Sequence, residues 1–203
     1  MKVLLINGSP HEHGCTDTAL REVEKALIEC GAETEILWLG NDVVRDCIAC
    51  GGCRKTGKCV FDDVANEIIE KAADCSGFVF GTPVYYAHPS GRVLSVLDRV
   101  FFAGGRYFAH KPGAAVCSAR RGGTTATFDV MNKFFTISQM PVVSSTYWNM
   151  VHGNSPEEVM QDAEGLQTMR NLGRNMAWLI QCIERSGIPA PQAERSAFTN
   201  FIR

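Results

Sequence analysis

The stretch Lys2-Val3-Leu4-Leu5-Ile6-Asn7-Gly8-Ser9-Pro10-His11-Glu12-His13-Gly14-Cys15-Thr16 sets the fold class of the 203-residue chain. Val3–Asn7 is a short apolar run of the kind that forms a strand buried on both faces. Gly8–Cys15 is polar, and from Thr16 to Cys30 Ala19, Leu20, Val23, Ala26 and Leu27 recur at three- and four-residue intervals. That spacing predicts an amphipathic helix, stopped by Gly31. A buried strand running through a polar loop into a helix is the opening unit of a parallel α/β sheet.

The same alternation continues along the chain. Strands are expected at Glu35–Leu39, Phe78–Gly81, Ala114–Cys117 and Val142–Tyr147. Helices are expected from Asp62 and Asp63 through Ala73, over Gly91–Phe102, over Thr124–Phe135, and as one long closing helix over Ser155–Ser186, capped by Ser155-Pro156-Glu157-Glu158. The reading is a five-stranded, doubly wound parallel sheet in the order 2-1-3-4-5, with helices on both faces. Residues 1–187 form one domain with a cysteine-rich insertion at 47–59, and 188–203 form a surface tail.

Composition narrows the possible functions. Hydrophobic residues make up 45% and the net charge is −2, so a basic face for nucleic acid is not expected. No apolar run approaches the roughly 20 residues that span a membrane, and the apolar segment after Met1 is too short for a signal-peptide core. A cytoplasmic location follows as an expectation. The nine cysteines are then reduced thiols rather than disulfide staples.

In doubly wound folds, ligands sit beyond the carboxyl ends of the strands, where strand order reverses. Three loops should meet there. The first is Gly8–Thr16, which leads into a helix N-terminus suited to phosphate, with Ser9, Thr16 and Thr18 as hydroxyl donors and His11 as a further one. It is neither a Walker loop, since Cys15 stands where Lys is required, nor a Gly-x-Gly-x-x-Gly fingerprint. The second loop is Thr82-Pro83-Val84-Tyr85-Tyr86, which offers amides and an apolar wall to a flat heteroaromatic ligand. The third runs from Ser118 through Arg120 to Gly122 and Gly123. His88 lies close to the second loop and Trp148 at the end of the last expected strand.

Cys47, Cys50, Cys53 and Cys59 fall within thirteen residues. Such closely spaced thiols suit an iron–sulfur cluster, and Gly51, Gly52 and Gly57 allow the tight wrap. Arg54, Lys55 and Lys58 would offset its charge. A zinc knuckle, redox-active thiols without metal, and a local disulfide are the other readings.

Gly8-Ser9-Pro10, Gly14-x-Thr16, Thr82-Pro83-Val84-Tyr85, Ser90-Gly91 and Asp98-Arg99 together resemble the flavodoxin-like NAD(P)H-dependent FMN reductases. With the four cysteines, the chain is similar to the iron–sulfur flavoproteins of that superfamily. It departs from the family's usual pattern at His11, where Arg is common, and at Cys15, where Asn is common. The resemblance implies bound FMN, a four-iron cluster held by the cysteine quartet, and NAD(P)H as a possible donor. It also implies a small-molecule or ferredoxin-type redox partner, and a homodimer or homotetramer in which the cysteine loop packs against a second subunit. A cluster-free reductase of flavins or quinones is the main alternative, and a non-catalytic zinc-binding module the second.

Overall fold

The computed structural model describes residues 1–199 and Phe201; Asn200, Ile202 and Arg203, at the end of the expected tail, lie outside the described residues. The central strand β1 (Lys2–Asn7) pairs in parallel with β2 (Glu33–Trp38) and β3 (Gly77–Tyr85). On β3 follow β5 (Gly113–Ala119) and then β6 (Met150–His152), giving the parallel order β2-β1-β3-β5-β6. A two-residue strand, β4 (His88–Pro89), folds back antiparallel on the end of β3. The fold is a doubly wound, flavodoxin-like sheet.

Side chains of β1 alternate between two cores, because successive residues of a strand face opposite sides. Leu4 and Ile6 join Phe78, Phe80 and Phe108 in the core beneath α3 (Val64–Ala72), α4 (Gly91–Gly104) and α5 (Thr124–Ile137). Val3 and Leu5 join Val79, Ala114 and Val116 in the core beneath α1 (Cys15–Glu29) and α7 (Ala163–Ser186). Burial of both faces of β1 accounts for its unbroken apolar run. Asp63 caps α3, its carboxylate accepting a 3.0 Å hydrogen bond from the Ala65 amide.

Two expectations need correction. The last strand is Met150–His152 rather than Val142–Tyr147. Val142 makes only an isolated bridge to Gly113. The chain then leaves the sheet, with Asn175 donating to the Ser144 carbonyl at 2.8 Å and Ser145 to the Thr168 carbonyl at 2.6 Å. It returns beside Cys117–Ala119, at the carboxyl end of β5.

The closing helix is also two helices, α6 (Pro156–Val159) and α7. Asp162 interrupts it by acting as a second N-cap, accepting from the Gly165 amide at 2.9 Å and from the His152 amide at 2.7 Å. Among the described residues no helix is long and apolar enough to cross a membrane. Residues 187–199 carry no helix or strand and are largely exposed.

Candidate functional site

The loop after β1 is shaped by its own strand end. Asn7 is fully buried; its side chain accepts from the Ser9 amide at 3.0 Å and donates to the Glu12 carbonyl at 2.9 Å. This Asx-type turn sends the chain back toward the sheet. The Ser9 hydroxyl accepts from the His11 amide at 3.1 Å, and the Trp38 indole donates to the Ser9 carbonyl at 2.8 Å. The Gly8 amide donates to the Gly81 carbonyl at 2.9 Å. A Cβ on Gly8 would stand 2.8 Å from that oxygen, so the approach of the two strand ends requires glycine.

At the N-terminus of α1 no side chain caps the helix; its N-cap is Gly14. The first-turn amides therefore face the loop without a side-chain acceptor, the arrangement that attracts an anionic group. Thr16 is buried, and its hydroxyl lies 2.8 Å from that of Ser118. Ser90 caps α4 and also donates to the Gly8 carbonyl at 3.0 Å, while its amide donates to Thr82 at 3.0 Å. These bonds tie the ends of β1, β3 and β5 into one rigid edge.

An open cleft of about 240 Å³ lies along that edge. Of the residues singled out from the sequence, Ser9, His11, Thr16, Pro83, Val84, Tyr85, Ser118 and Arg120 line it. The others stand apart. Thr18 turns its hydroxyl back to the Gly14 carbonyl at 3.2 Å. Thr82 is fully buried and fastens Ser90. Gly122 is exposed, Gly123 is the N-cap of α5 at φ +91°, and Tyr86 sits at the tip of the β3–β4 hairpin, wholly exposed.

Cys15, Ala119, Gly153 and Asn154 also line the cleft; Cys15 lies within the Gly14-x-Thr16 motif and Ala119 within the third loop without having been singled out as contacts, and Gly153 and Asn154 belong to no motif. Gly153 and Asn154 reach it because β6 runs alongside the end of β5. Burial, followed by the charges of Glu158 and Glu157, pushes the Cys15 thiol above its ordinary value, so it is a neutral polar wall. His88 pairs with Tyr85 across the hairpin. Trp148 is half exposed and stacks edge-on against Tyr147 at 5.0 Å.

The cysteine loop is a separate site. Cys47, Cys50, Cys53 and Cys59 line a small apolar cavity of about 30 Å³ with Val60, Phe61 and Phe102. They are tethered to different elements. Cys47 and Cys50 are exposed on an irregular stretch, and Cys53 opens the single helical turn α2 (Cys53–Thr56). Cys59 is held by the Asn66 side chain, which accepts from its amide at 2.8 Å, and by Arg99, whose Nε donates to its sulfur at 3.2 Å.

Arg99 is 2% exposed. Its guanidinium forms a bidentate pair with Asp63 at 2.7 and 2.8 Å and donates to the carbonyls of Arg45 and Phe61. Burial by itself would raise the Asp63 carboxyl, but Arg99 and the Ala65 amide outweigh it and hold the group below its ordinary value. Lys58, expected to balance the charge of a cluster, is paired with Glu70 instead.

Among the described residues no group of three or more His, Cys, Asp or Glu could hold a metal ion. This overturns the expectation of a four-iron cluster on Cys47, Cys50, Cys53 and Cys59, and with it that of an electron-transfer partnership between cluster and flavin. The same observation removes the zinc knuckle. All nine cysteines are free, so the local disulfide is absent too. Three-residue spacing permits convergence of thiols, but anchoring by Arg99, Asn66 and α2 distributes them around a cavity.

Residues 1–155 match the family model described as NADPH-dependent FMN reductase. The chain belongs to that family. It is a flavin-dependent oxidoreductase by that membership. It is 34% identical over 193 residues to an iron–sulfur flavoprotein of Methanocaldococcus jannaschii, the match covering 91% of this chain and 100% of the relative. Among solved structures, a flavodoxin from the domain Archaea superposes with a TM-score of 0.61 at 13% identity, over 89% of this chain and 99% of that one. An NAD(P)H:quinone oxidoreductase from Methanothermobacter marburgensis superposes with a TM-score of 0.67 at 16% identity, over 87% and 96%. Both likenesses are of fold.

Proposed function

We propose that the chain binds FMN in the cleft at the β1–β3–β5 edge and reduces flavins, quinones or similar small acceptors with NAD(P)H, without a metal cluster. The observation that carries this reading is the uncapped N-terminus of α1, joined to the end of β5 by the Thr16–Ser118 hydrogen bond. Helix amides and hydroxyls suit a phosphate, and the apolar wall beside them suits a flat ring. The tight loop supports the fit, because a Cβ on Gly14 would stand 2.9 Å from the His11 Cβ.

Ser9, His11 and Thr16 would hold the phosphate, and Pro83, Val84, Tyr85, Ser118 and Arg120 would flank the ring system. Thr82 and Gly123 support the backbone that presents them. Bound FMN supplies the capacity to take two electrons from a nicotinamide and release them to an acceptor. The protein's share is to bind, orient and exclude water along one strand edge. Residues 1–187 act as one domain and 188–203 as its tail, in a cytoplasmic homodimer or homotetramer served by a small-molecule or ferredoxin-type partner.

NAD(P)H oxidation is followed at 340 nm with a quinone, with and without added FMN. FMN-dependent turnover that persists after exhaustive metal chelation is the expected result. Turnover that requires added iron and sulfide contradicts the reading.

A further inference from the structure

From Gly8 to Thr18, the loop after β1 and the first turn of α1 hold no lysine or arginine. The only groups there able to carry a positive charge are His11 and His13, set among the carboxylates of Glu12 and Asp17. The structure gives the two histidines different surroundings. His13 Nδ1 stands 3.5 Å from the Asp17 carboxylate, which the Arg21 Nε also reaches at 3.5 Å. His11 makes no ion pair among the described residues, and it lines the cleft.

The backbone of His11 is fastened on both sides. Its amide donates to the Ser9 hydroxyl at 3.1 Å, and its carbonyl accepts from the Gly14 amide at 3.3 Å. A Cβ on Gly14 would stand 2.9 Å from the His11 Cβ, so the turn holds His11 against the N-cap of α1, where the helix amides have no side-chain cap.

The other charges around the cleft do not change near neutrality. Arg120 lines it from the loop after β5, and an arginine keeps its charge. Glu158 and Glu157 act on Cys15 from α6, Glu158 accepting from the Asn154 amide at 2.7 Å; carboxylates stay ionised in that range. Burial, followed by those two charges, holds the Cys15 thiol above its ordinary value, which keeps it neutral. His88 pairs with Tyr85 in the hairpin and His152 stands 3.7 Å from Asp162; neither is part of the cleft lining.

Resting on the reading above that FMN occupies the cleft with its phosphate at α1, we infer that His11 makes retention of FMN depend on pH. Protonated, His11 adds to the helix amides the one unpaired positive charge that this loop can offer. Deprotonated, it leaves the phosphate facing a loop whose free charges are carboxylates. A phosphate monoester loses its second proton near pH 6, and an imidazole ordinarily loses its own at about 6.5. The ligand is therefore mostly dianionic while the histidine changes charge, and affinity should fall as the pH rises above that range.

The test is titration of the flavin-free protein with FMN and, separately, with riboflavin, at pH 6.5, 7.5 and 8.5 and constant ionic strength, read by flavin fluorescence. One exposed charge pair on a phosphate is expected to change the FMN Kd by about 3- to 10-fold between the ends of that window, the weaker binding being at pH 8.5. Riboflavin, which has no phosphate, should stay within about 2-fold. His11→Arg should bind FMN tightly at all three values, and His11→Gln weakly at all three, with riboflavin binding unchanged in both as the sign of an intact cleft. His13→Gln should keep the parent's dependence.

An FMN Kd that does not change with pH in the parent overturns the inference while leaving the cofactor reading in place. A dependence that survives in His11→Gln, is lost in His13→Gln, or is equal for riboflavin overturns it as well, because another group is then responsible. Absence of FMN binding at every pH refutes the cofactor reading itself.

Discussion

The Thr16 hydroxyl and the Ser118 hydroxyl stand 2.8 Å apart, both buried, joining positions 102 residues apart in sequence. One belongs to the first turn of α1 and the other to the end of β5. Their bond fixes where the helix N-terminus sits relative to the sheet edge. Thr16→Val keeps the shape of the side chain but leaves Ser118 buried without that partner, at a cost of about 1–3 kcal/mol. Chemical denaturation measures it. Removing both hydroxyls with Thr16→Val and Ser118→Ala should recover part of the loss, since neither group is then left unpaired.

Asp63 and Arg99 form the main anchor of the cysteine loop. Asp63→Asn retains an N-cap for α3, since Asn caps about as well as Asp, but leaves the Arg99 cation buried without its counter-charge. The Asp63 side chain is 32% exposed, so screening by water brings the cost below that of breaking a fully buried pair, to about 1–3 kcal/mol. Thermal melts of the variant should show a loss of that order; a change below about 1 kcal/mol would mean that water already reaches the guanidinium.

The same pair predicts a pH dependence. The folded-state carboxyl of Asp63 is lowered from its ordinary value of 3.8. The unfolded state therefore takes up the proton first as the solution is acidified. The stabilisation is complete above that ordinary value and declines as the pH falls below it toward the folded value. In Asp63→Asn this component of acid sensitivity should disappear, which melting curves between pH 2.5 and 6 can resolve.

Gly8→Ala tests the closeness of two strand ends. The new Cβ would meet the Gly81 carbonyl at 2.8 Å and the Val93 Cβ at 2.9 Å. Both neighbours belong to packed elements, so overpacking should cost about 1–3 kcal/mol and widen the cleft. A variant as stable as the parent would show that β1 and β3 can separate there freely.

The thiols should fall into reactivity classes. Cys47, Cys50 and Cys182 are exposed, whereas Cys75 is 2% exposed and Cys117 fully buried. Burial pushes the Cys117 thiol up to about 12, and reactivity follows the thiolate. A time course of alkylation at pH 8, resolved by peptide mass spectrometry, should label the three exposed cysteines first and Cys117 only on unfolding. Protection of Cys47 and Cys50 in the native protein would contradict the loop structure.

The fold was legible where local pattern and tertiary demand agree. An apolar run, a polar loop and a 3.6-residue period identified β1 and α1 because β1 is buried on both faces. The last strand was missed because Met150–His152 is only three residues long, too short for a period-2 pattern to show, while the more β-prone Val142 and Val143 serve a single bridge before the chain is drawn to α7. Helical periodicity runs across Asp162, so its capping role depends on contacts with His152 and Gly165. The turn at Tyr86 and Ala87 has no turn chemistry and is imposed from behind by Gly123. At the cysteine quartet, spacing revealed proximity of the thiols but not their division among Arg99, Asn66 and α2. Gly153 and Asn154 entered the cleft through the position of β6, which spacing in the sequence does not encode.

Quantification of flavin released on denaturing the purified protein, after incubation with excess FMN and removal of the unbound fraction, tests the central claim most directly. The account predicts close to one FMN per chain, with FAD retained less well because the described cleft offers no adenosine site, and a marked loss of FMN in Thr16→Val. Absence of FMN from the parent protein after that incubation would contradict it.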